Sequence, residues 1–173
     1  MNNAKKDEFS LIYDEHVPKI YRFIFLKVSS REIAEDISSE VFVRTWSEFN
    51  KQDIRNIQAF LYGVARNLIA DHYRVQSKVK IVSVEATFDV QDEQDDLQER
   101  ANVGYDMEMV RKALSDLNDD YQDLIIWRYL EELSIPEIAE ITGKSEENVR
   151  VGVHRALKSL KGRLPVEGIE VKV

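Results

Sequence analysis

The chain has 173 residues, a hydrophobic content of 43%, a net charge of −8 and no cysteine. This length suits one domain or two small ones with real cores, and the lack of cysteine excludes disulfides, thiolate catalysis and cysteine-based zinc sites. No apolar run approaches the roughly 20 residues that cross a bilayer, and the first ten residues lack the apolar segment of a signal peptide. We therefore expect a cytoplasmic protein without membrane insertion, in which any contact with DNA is local because the whole molecule is acidic.

The first 50 residues predict two helical segments. Residues 8–28 place apolar side chains at helical spacing, and Pro18 indicates either one kinked helix or two short ones. Ser29 and Glu32 predict a capping box for a second helix that ends near Phe49. Carboxylates on its outer face have no histidine nearby, so a protein-contact surface is favoured over acid-base or metal chemistry. That outer face carries Glu35, Asp36, Ser39, Glu40 and Arg44.

A third helix is predicted after the polar connection 50–56. Residues 54–80 contain five basic residues and one acidic residue. Two tyrosines and two arginines share the side opposite the core stripe, namely Tyr62, Arg66, Tyr73 and Arg74. Cations follow a phosphate backbone and flat rings stack on unpaired bases, so the pattern favours single-stranded nucleic acid. One alternative is a solvated helix face with half-buried tyrosines, and another makes Tyr62 part of the core and Asn67 a helix-packing residue.

Residues 81–105 differ from their surroundings, because they contain seven acidic residues and only one basic residue. Such a segment is typical of a linker. It separates a predicted domain at 1–80 from a second at 106–164, and residues 165–173 form a tail. The sequence therefore predicts an all-α fold of two small helical domains joined by an acidic linker.

The second domain is predicted to contain four helices, with Asn118 or Asp119 capping the second of them. Ser134 and Glu137 form a capping box for the third helix, which ends at Gly143, a residue suited to a left-handed C′ position. Ser145 caps the fourth helix, whose buried stripe at i, i+4, i+7 and i+11 is Val149, Val153, Ala156 and Leu160.

Two short helices joined by a glycine turn match a helix-turn-helix, although a plain helical hairpin with a solvated face is the alternative. Residues 144–163 carry six basic residues against two acidic ones, whereas residues 106–143 carry three against ten. A basic face on an acidic body favours binding to nucleic acid.

Catalytic chemistry finds no support in the sequence. His16, His72 and His154 are dispersed, and no phosphate-binding glycine loop is present. We therefore predict no enzyme activity, no catalytic residues, no metal site and no cofactor.

Three stretches in order resemble one protein family. Residues 34–46 (AEDISSEVFVRTW) are similar to its region 2.2, residues 59–74 (AFLYGVARNLIADHYR) to regions 2.3 and 2.4, and residues 110–160 to region 4. The chain thus resembles the extracytoplasmic-function (ECF) group of bacterial RNA polymerase sigma factors, in the sigma-70 family. Each stretch is weakly specific alone, but their order and separation are jointly specific.

The resemblance implies that the protein binds core RNA polymerase, recognises the promoter −35 and −10 elements, and promotes strand opening. It leads us to expect an anti-sigma factor as a further partner, and a monomer is the default state. The implied contacts are Glu35, Asp36, Glu40 and Arg44 for core polymerase; Arg55, Asn56, Tyr62, Arg66, Asn67, Arg74 and Lys78 for the −10 element; and Glu147, Asn148, Arg150, Val151, His154, Arg155 and Lys158 for the −35 element.

The chain departs from the family pattern at Ser39, Phe60 and Asn118, and more consequentially at two positions of the recognition helix. Gly152 and Leu157 stand in the recognition helix where arginine is common in the family. Two interpretations are open: small residues at 151 and 152 let the helix approach the groove more closely, or the missing cations weaken DNA binding.

A free-standing dimeric helix-turn-helix regulator is the alternative function. In that case the acidic helix at 29–49 and the basic helix at 56–76 have no role. Initiation of a specific transcript with core polymerase distinguishes the two functions.

Overall fold

The computed structural model describes residues 3–82 and 105–164. These ranges contain seven α-helices: α1 (Asn3–Val28), α2 (Arg31–Lys51), α3 (Ile57–Val82), α4 (Tyr105–Ser115), α5 (Asp119–Ile125), α6 (Ile135–Thr142) and α7 (Glu146–Lys161). One turn of π-helix, Ile126–Leu130, continues α5. No strand occurs in the two ranges, so the predicted all-α fold is confirmed. Most of the predicted linker, and the tail at 165–173, lie outside the described residues.

Helices α1, α2 and α3 pack against one another and form the N-terminal domain. Its core includes Phe23, Ile24, Val41, Leu61 and Ala65, which are all buried because each lies on the apolar stripe of its helix. Helix α1 is continuous through an internal proline, so of the two forms predicted for this segment the single helix is correct.

The junction between α1 and α2 corrects one prediction. Ser29 has a φ of 55° and its backbone N–H donates to the carbonyl of Phe25 at 2.8 Å. Ser29 therefore terminates α1 in the left-handed conformation and is not available as an N-cap. The N-cap of α2 is Ser30, whose side chain accepts a hydrogen bond from the N–H of Ile33. The predicted Ser29–Glu32 capping box is wrong, because an N-cap needs the extended backbone that only Ser30 has.

The caps of α6 and α7 and the buried stripe of α7 agree with the predictions. The Ser134 hydroxyl accepts from the N–H of Glu137 at 3.3 Å, and the Glu137 carboxylate accepts from the N–H of Ser134 at 2.7 Å. Helix α6 ends at Gly143 with a φ of 68°, and Ser145 caps α7. The buried residues of α7 are Val149, Val153, Ala156 and Leu160, so the predicted stripe is confirmed.

Helix α5 is buried on more than one side. Asn118 caps it, accepting from the N–H of Tyr121 at 2.9 Å. Four consecutive residues at its end and in the π-helical turn that follows, 124–127, are all buried. A helix that buries successive residues must have neighbours on several sides. Helix α5 packs against α7 in its own domain, whereas Trp127 stacks on Phe23 of the N-terminal domain with the ring centroids 5.5 Å apart.

Replacing Gly143 with alanine should lower the free energy of unfolding by about 1 kcal/mol, because a side chain is disfavoured in the left-handed region. Gly162→Ala is the matched control in the same domain, since Gly162 has a φ of −66° and a Cβ there has only ordinary contacts. Urea unfolding measures both. Equal losses of stability in the two variants would contradict the assigned end of α6.

Candidate nucleic-acid interface

Helix α7 presents the basic face that the sequence predicts. All seven residues expected to contact the −35 element are exposed, namely Glu147, Asn148, Arg150, Val151, His154, Arg155 and Lys158. They lie opposite the buried stripe, because helical periodicity separates the two faces. The N-terminus of α7 follows the Gly143 turn directly, as in a recognition helix.

Gly152 and Leu157 are packing residues in this structure. A Cβ built on Gly152 would lie 2.9 Å from a side-chain methyl carbon of Leu124 on α5. Leu157 is half-buried against the core. Gly152 thus allows close contact between α7 and α5, and it does not lie on the exposed face. Of the two interpretations left open for Gly152, closer approach to the groove is therefore not supported.

The residues predicted to bind the −10 element differ in accessibility. Arg55, Asn67, Arg74 and Lys78 are exposed. Asn56 is half-buried and caps α3, because its side-chain oxygen accepts from the N–H of Ala59 at 3.0 Å. The amide oxygen of Asn56 is therefore already bonded to the helix, whereas the amide N–H groups of Asn56 can donate to a base.

Tyr62 is fully buried, with a relative exposure of 0%. Its ring makes edge contacts with Phe23 at 5.3 Å and Trp127 at 5.6 Å between centroids, and burial raises its pKa. The prediction that Tyr62 lies on the wet side of α3 is wrong for this arrangement. The reason is that Trp127, from the other domain, supplies an apolar neighbour that the helix pattern of α3 does not reveal.

Arg66 also contacts the C-terminal domain. Its Nε lies 2.9 Å from a carboxylate oxygen of Asp123, and one of its terminal nitrogens lies 3.4 Å from Asp120. Its guanidinium carbon sits 5.7 Å from the centroid of the Trp127 ring, within the range of a cation–π contact. Two residues predicted to hold DNA, Tyr62 and Arg66, are thus engaged by the second domain.

A buried ion pair joins the two domains beside Arg66. The Lys27 ammonium lies 2.5 Å from Asp123, and the two side chains are 5% and 3% exposed. Burial raises the pKa of the Asp123 carboxyl, while Lys27 and Arg66 act in the opposite direction. Sequence reasoning did not single out Lys27, because a lysine in the last turn of a helix ordinarily satisfies the helix dipole at the surface.

A second ion pair lies across the same junction. Arg22 makes a two-pronged contact with Glu131, at 2.5 and 2.9 Å. The Glu131 side chain is 1% exposed, so this carboxylate is also taken out of water. Two-pronged arginine–carboxylate contacts are among the stronger and more directional ion pairs in proteins.

The four residues predicted to contact core polymerase lie along the outer side of α2. Glu35, Asp36 and Arg44 are exposed and Glu40 is half-buried. Arg44 pairs with Glu40 at 2.6 Å. Exposed pairs of this kind contribute little to stability, so their charges are available to a partner at small cost.

Neither a metal centre nor a membrane span is found in the part of the chain that the structure describes. Residues 3–82 and 105–164 contain no group of three or more histidine, aspartate or glutamate side chains placed to bind a metal ion. Within the same ranges, no helix combines the length and apolar character needed to cross a membrane.

An exposed basic recognition helix, together with a second basic helix in a separate domain, defines a helical DNA-binding protein. Residues 12–79 match the family Sigma-70 region 2, and residues 107–160 match Sigma-70, region 4. The chain belongs to the ECF group of the sigma-70 family of RNA polymerase sigma factors.

Two curated relatives illustrate the match. The ECF RNA polymerase sigma factor BldN of Streptomyces coelicolor is 29% identical over 165 residues, which cover 94% of this chain and 62% of BldN. The ECF RNA polymerase sigma factor SigM of Bacillus subtilis is 28% identical over 150 residues, covering 87% of this chain and 91% of SigM. The chain therefore spans less than two thirds of the length of BldN but nearly all of SigM.

Two solved structures share the fold. The sigma factor RpoE from Bartonella quintana, in complex with the anti-sigma factor NepR, aligns with a TM-score of 0.68 at 21% identity, over 93% of this chain and 99% of that one. CnrH, in complex with the cytosolic domain of CnrY, aligns with a TM-score of 0.70 at 20% identity, over 94% and 91%. At these identities the likeness concerns the fold alone.

Proposed function

We propose that this protein is a sigma factor that binds core RNA polymerase, recognises the −35 and −10 elements of a promoter, and promotes strand opening for transcription initiation. The observation that carries the proposal is the exposed basic face of α7, in a chain whose two domains match sigma-70 regions 2 and 4. The protein acts in the cytoplasm, and the proposal requires no catalytic residue, metal or cofactor of its own.

Each exposed surface has one role in the proposal. The outer side of α2, with Glu35, Asp36 and Arg44, contacts core polymerase. Helix α7 enters the major groove of the −35 element, where side chains read base edges. Helix α3 and the connection before it hold the melted −10 strand, because cations and helix-terminal N–H groups bind phosphates and base edges.

An anti-sigma factor is part of the proposal. RpoE and CnrH, which share this fold, were each solved in complex with a partner, NepR for RpoE and the cytosolic domain of CnrY for CnrH. We infer that a dedicated protein partner also controls this chain, which is otherwise a monomer.

Transcription in a defined system tests the proposal against a free-standing dimeric regulator. Purified protein mixed with core polymerase should initiate specific transcripts from a promoter library, and core polymerase alone should not. A variant with Asp36→Arg should initiate less, because it reverses a charge on the surface assigned to polymerase. Dimeric binding to duplex DNA without any initiation would favour the regulator instead.

Two substitutions in α7 distinguish the recognition of bases from the binding of phosphates. Arg155→Ala should alter base preference in the −35 element, because a bidentate arginine–guanine contact provides about 1 to 3 kcal/mol of discrimination. Lys158→Ala should weaken binding to all sequences alike. It should also reduce the slope of log affinity against log salt concentration by about one. Holoenzyme binding to a randomised −35 library at several salt concentrations measures both. If neither variant differs from the original protein, α7 is not the recognition helix.

Arg55 is placed to act in strand opening, since it is exposed next to the N-terminus of α3. Arg55→Ala should leave polymerase binding intact and reduce permanganate reactivity of unpaired thymines at the −10 element. Lys6→Ala is the control, because it removes an exposed cation of α1 that belongs to none of the surfaces assigned to DNA or polymerase.

Asn56 needs a different substitution because it caps α3. Asn56→Asp retains a capping oxygen but removes the amide N–H groups, so it tests base contact without loss of the cap. Combined with Arg55→Ala it should reduce opening further, and a pre-melted promoter should restore only part of the signal. Full opening by the double variant would exclude this connection from base capture.

A further inference from the structure

The junction between the two domains joins charges of opposite sign. The cations, Lys27, Arg66 and Arg22, come from the N-terminal domain, and the anions, Asp119, Asp120, Asp123 and Glu131, come from the C-terminal domain. Between them, Trp127 lies against the rings of Phe23 and Tyr62. The contact therefore has an apolar centre with ion pairs beside it, the general plan of a specific protein interface.

At its most buried point, one carboxylate receives two cations. Asp123 Oδ1 lies 2.5 Å from the Lys27 ammonium, and Asp123 Oδ2 lies 2.9 Å from Arg66 Nε. A phosphate group of DNA makes the same kind of contact, since it is an anion with oxygens that accept from lysine and arginine together. Asp123 thus occupies a site that is chemically suited to a phosphate.

The site lies on the surface that the proposed function assigns to the −10 strand. Arg66 is one of the residues predicted for that strand, and Tyr62, another of them, is buried at the same junction. Lys27 is brought to Arg66 by their shared contact with Asp123. The Lys27 ammonium and the Arg66 Nε that bind Asp123 cannot bind a DNA phosphate at the same time.

Two polar groups in the junction are left without partners. The Tyr62 hydroxyl and the Trp127 indole N–H are buried and find no hydrogen-bond partner within the part of the chain that the structure describes. The contact between the two domains also removes the Asp123 carboxylate from water. Each of these features costs free energy that hydration would return on separation. The junction is therefore suited to open when a competing ligand is offered.

We propose that the free protein closes on itself through this junction, with Asp123 as an internal substitute for a promoter phosphate, and that Lys27 is a further DNA-contact residue of the open form. The proposal rests on the proposed function. Promoter DNA competes with Asp123 for Lys27 and Arg66, so the part of the −10 surface formed by Tyr62 and Arg66 is covered until the domains separate.

The closed form leaves the other proposed contact surfaces free. On α2, Glu35 and Arg44 have side-chain exposures of 57% and 53%. On α7, all seven predicted −35 residues are exposed. Core polymerase therefore has access to α2 before the junction opens, whereas Arg66 is held by Asp123 and Asp120.

Removing the charge of Asp123 tests whether this residue competes with DNA for Lys27 and Arg66. Asp123→Asn should open the junction and raise the affinity of the free protein for a single-stranded −10 oligonucleotide about tenfold, if about one molecule in ten of the original protein is open. Asp116→Asn is the matched control, because it makes the same charge change at an exposed position of the same domain. Adding Lys27→Ala to Asp123→Asn should remove most of the gain. Circular dichroism checks that each variant is folded.

Domain separation is measured in the same samples. The chain has no cysteine, so two dyes are placed on cysteines introduced at the exposed positions Val43 and Arg163. Energy transfer should fall in Asp123→Asn and not in Asp116→Asn. If energy transfer falls while oligonucleotide affinity stays unchanged, Asp123 does not compete with DNA and the proposal is wrong. Unchanged energy transfer and unchanged affinity would equally overturn it.

A reversible cross-link that locks the junction closed gives a test that does not depend on Asp123. Arg22→Cys and Glu131→Cys replace two residues in direct contact across the junction, and a short reducible bifunctional thiol reagent joins them. The locked protein should lose oligonucleotide binding and regain it on reduction. Binding by the locked protein equal to that of the reduced protein would overturn the proposal.

Transcription initiation by the original protein, which lacks the introduced cysteines, is assayed separately with core polymerase. If initiation fails there, the proposed function fails. If initiation succeeds and the lock has no effect on it or on oligonucleotide binding, only the closed form is excluded.

Discussion

A buried carboxylate is the constraint on which the arrangement of the two domains depends. A carboxylate removed from water must be paired with cations or neutralised. Asp123 is 2% exposed, and its cationic partners, Lys27 and Arg66, lie on α1 and α3 of the other domain. This requirement fixes how α5 sits against the N-terminal domain. It also brings Trp127 against the rings of Phe23 and Tyr62, so the two domains share one apolar centre.

Local features of the fold were predictable because they depend on neighbours a few residues away. The Ser134–Glu137 capping box and the Gly143 turn follow from short-range backbone geometry, and helical periodicity alone sets the exposed face of α7. The N-cap of α2 marks where this reasoning stops. Ser29 and Ser30 have the same side chain, and only the left-handed backbone of Ser29, which ends α1, decides between them.

The junction was not predictable in the same way, because its partners are far apart in the sequence. Lys27 and Asp123 are 96 positions apart, and the burial of Tyr62 requires Trp127 from the other domain. One signal was nevertheless present. Residues 124–127 are four consecutive apolar residues in an acidic segment, more than one face of a short helix needs. Such a run indicates a second packing partner, although it does not identify α1 and α3.

Packing within the C-terminal domain also limits the DNA contacts that the proposed function assigns to α7. Because Gly152 and Leu157 face inward, the outer face carries its positive charge on few side chains, chiefly Arg150, Arg155 and Lys158. Each phosphate contact adds a limited, salt-dependent share of affinity, so α7 alone holds duplex DNA weakly. Linking two weak contacts on one partner makes the second contact intramolecular and raises overall affinity strongly. In the proposed function, tight promoter binding therefore requires both domains at once, and in the proposed closed form Asp123 holds two of the cations that serve it.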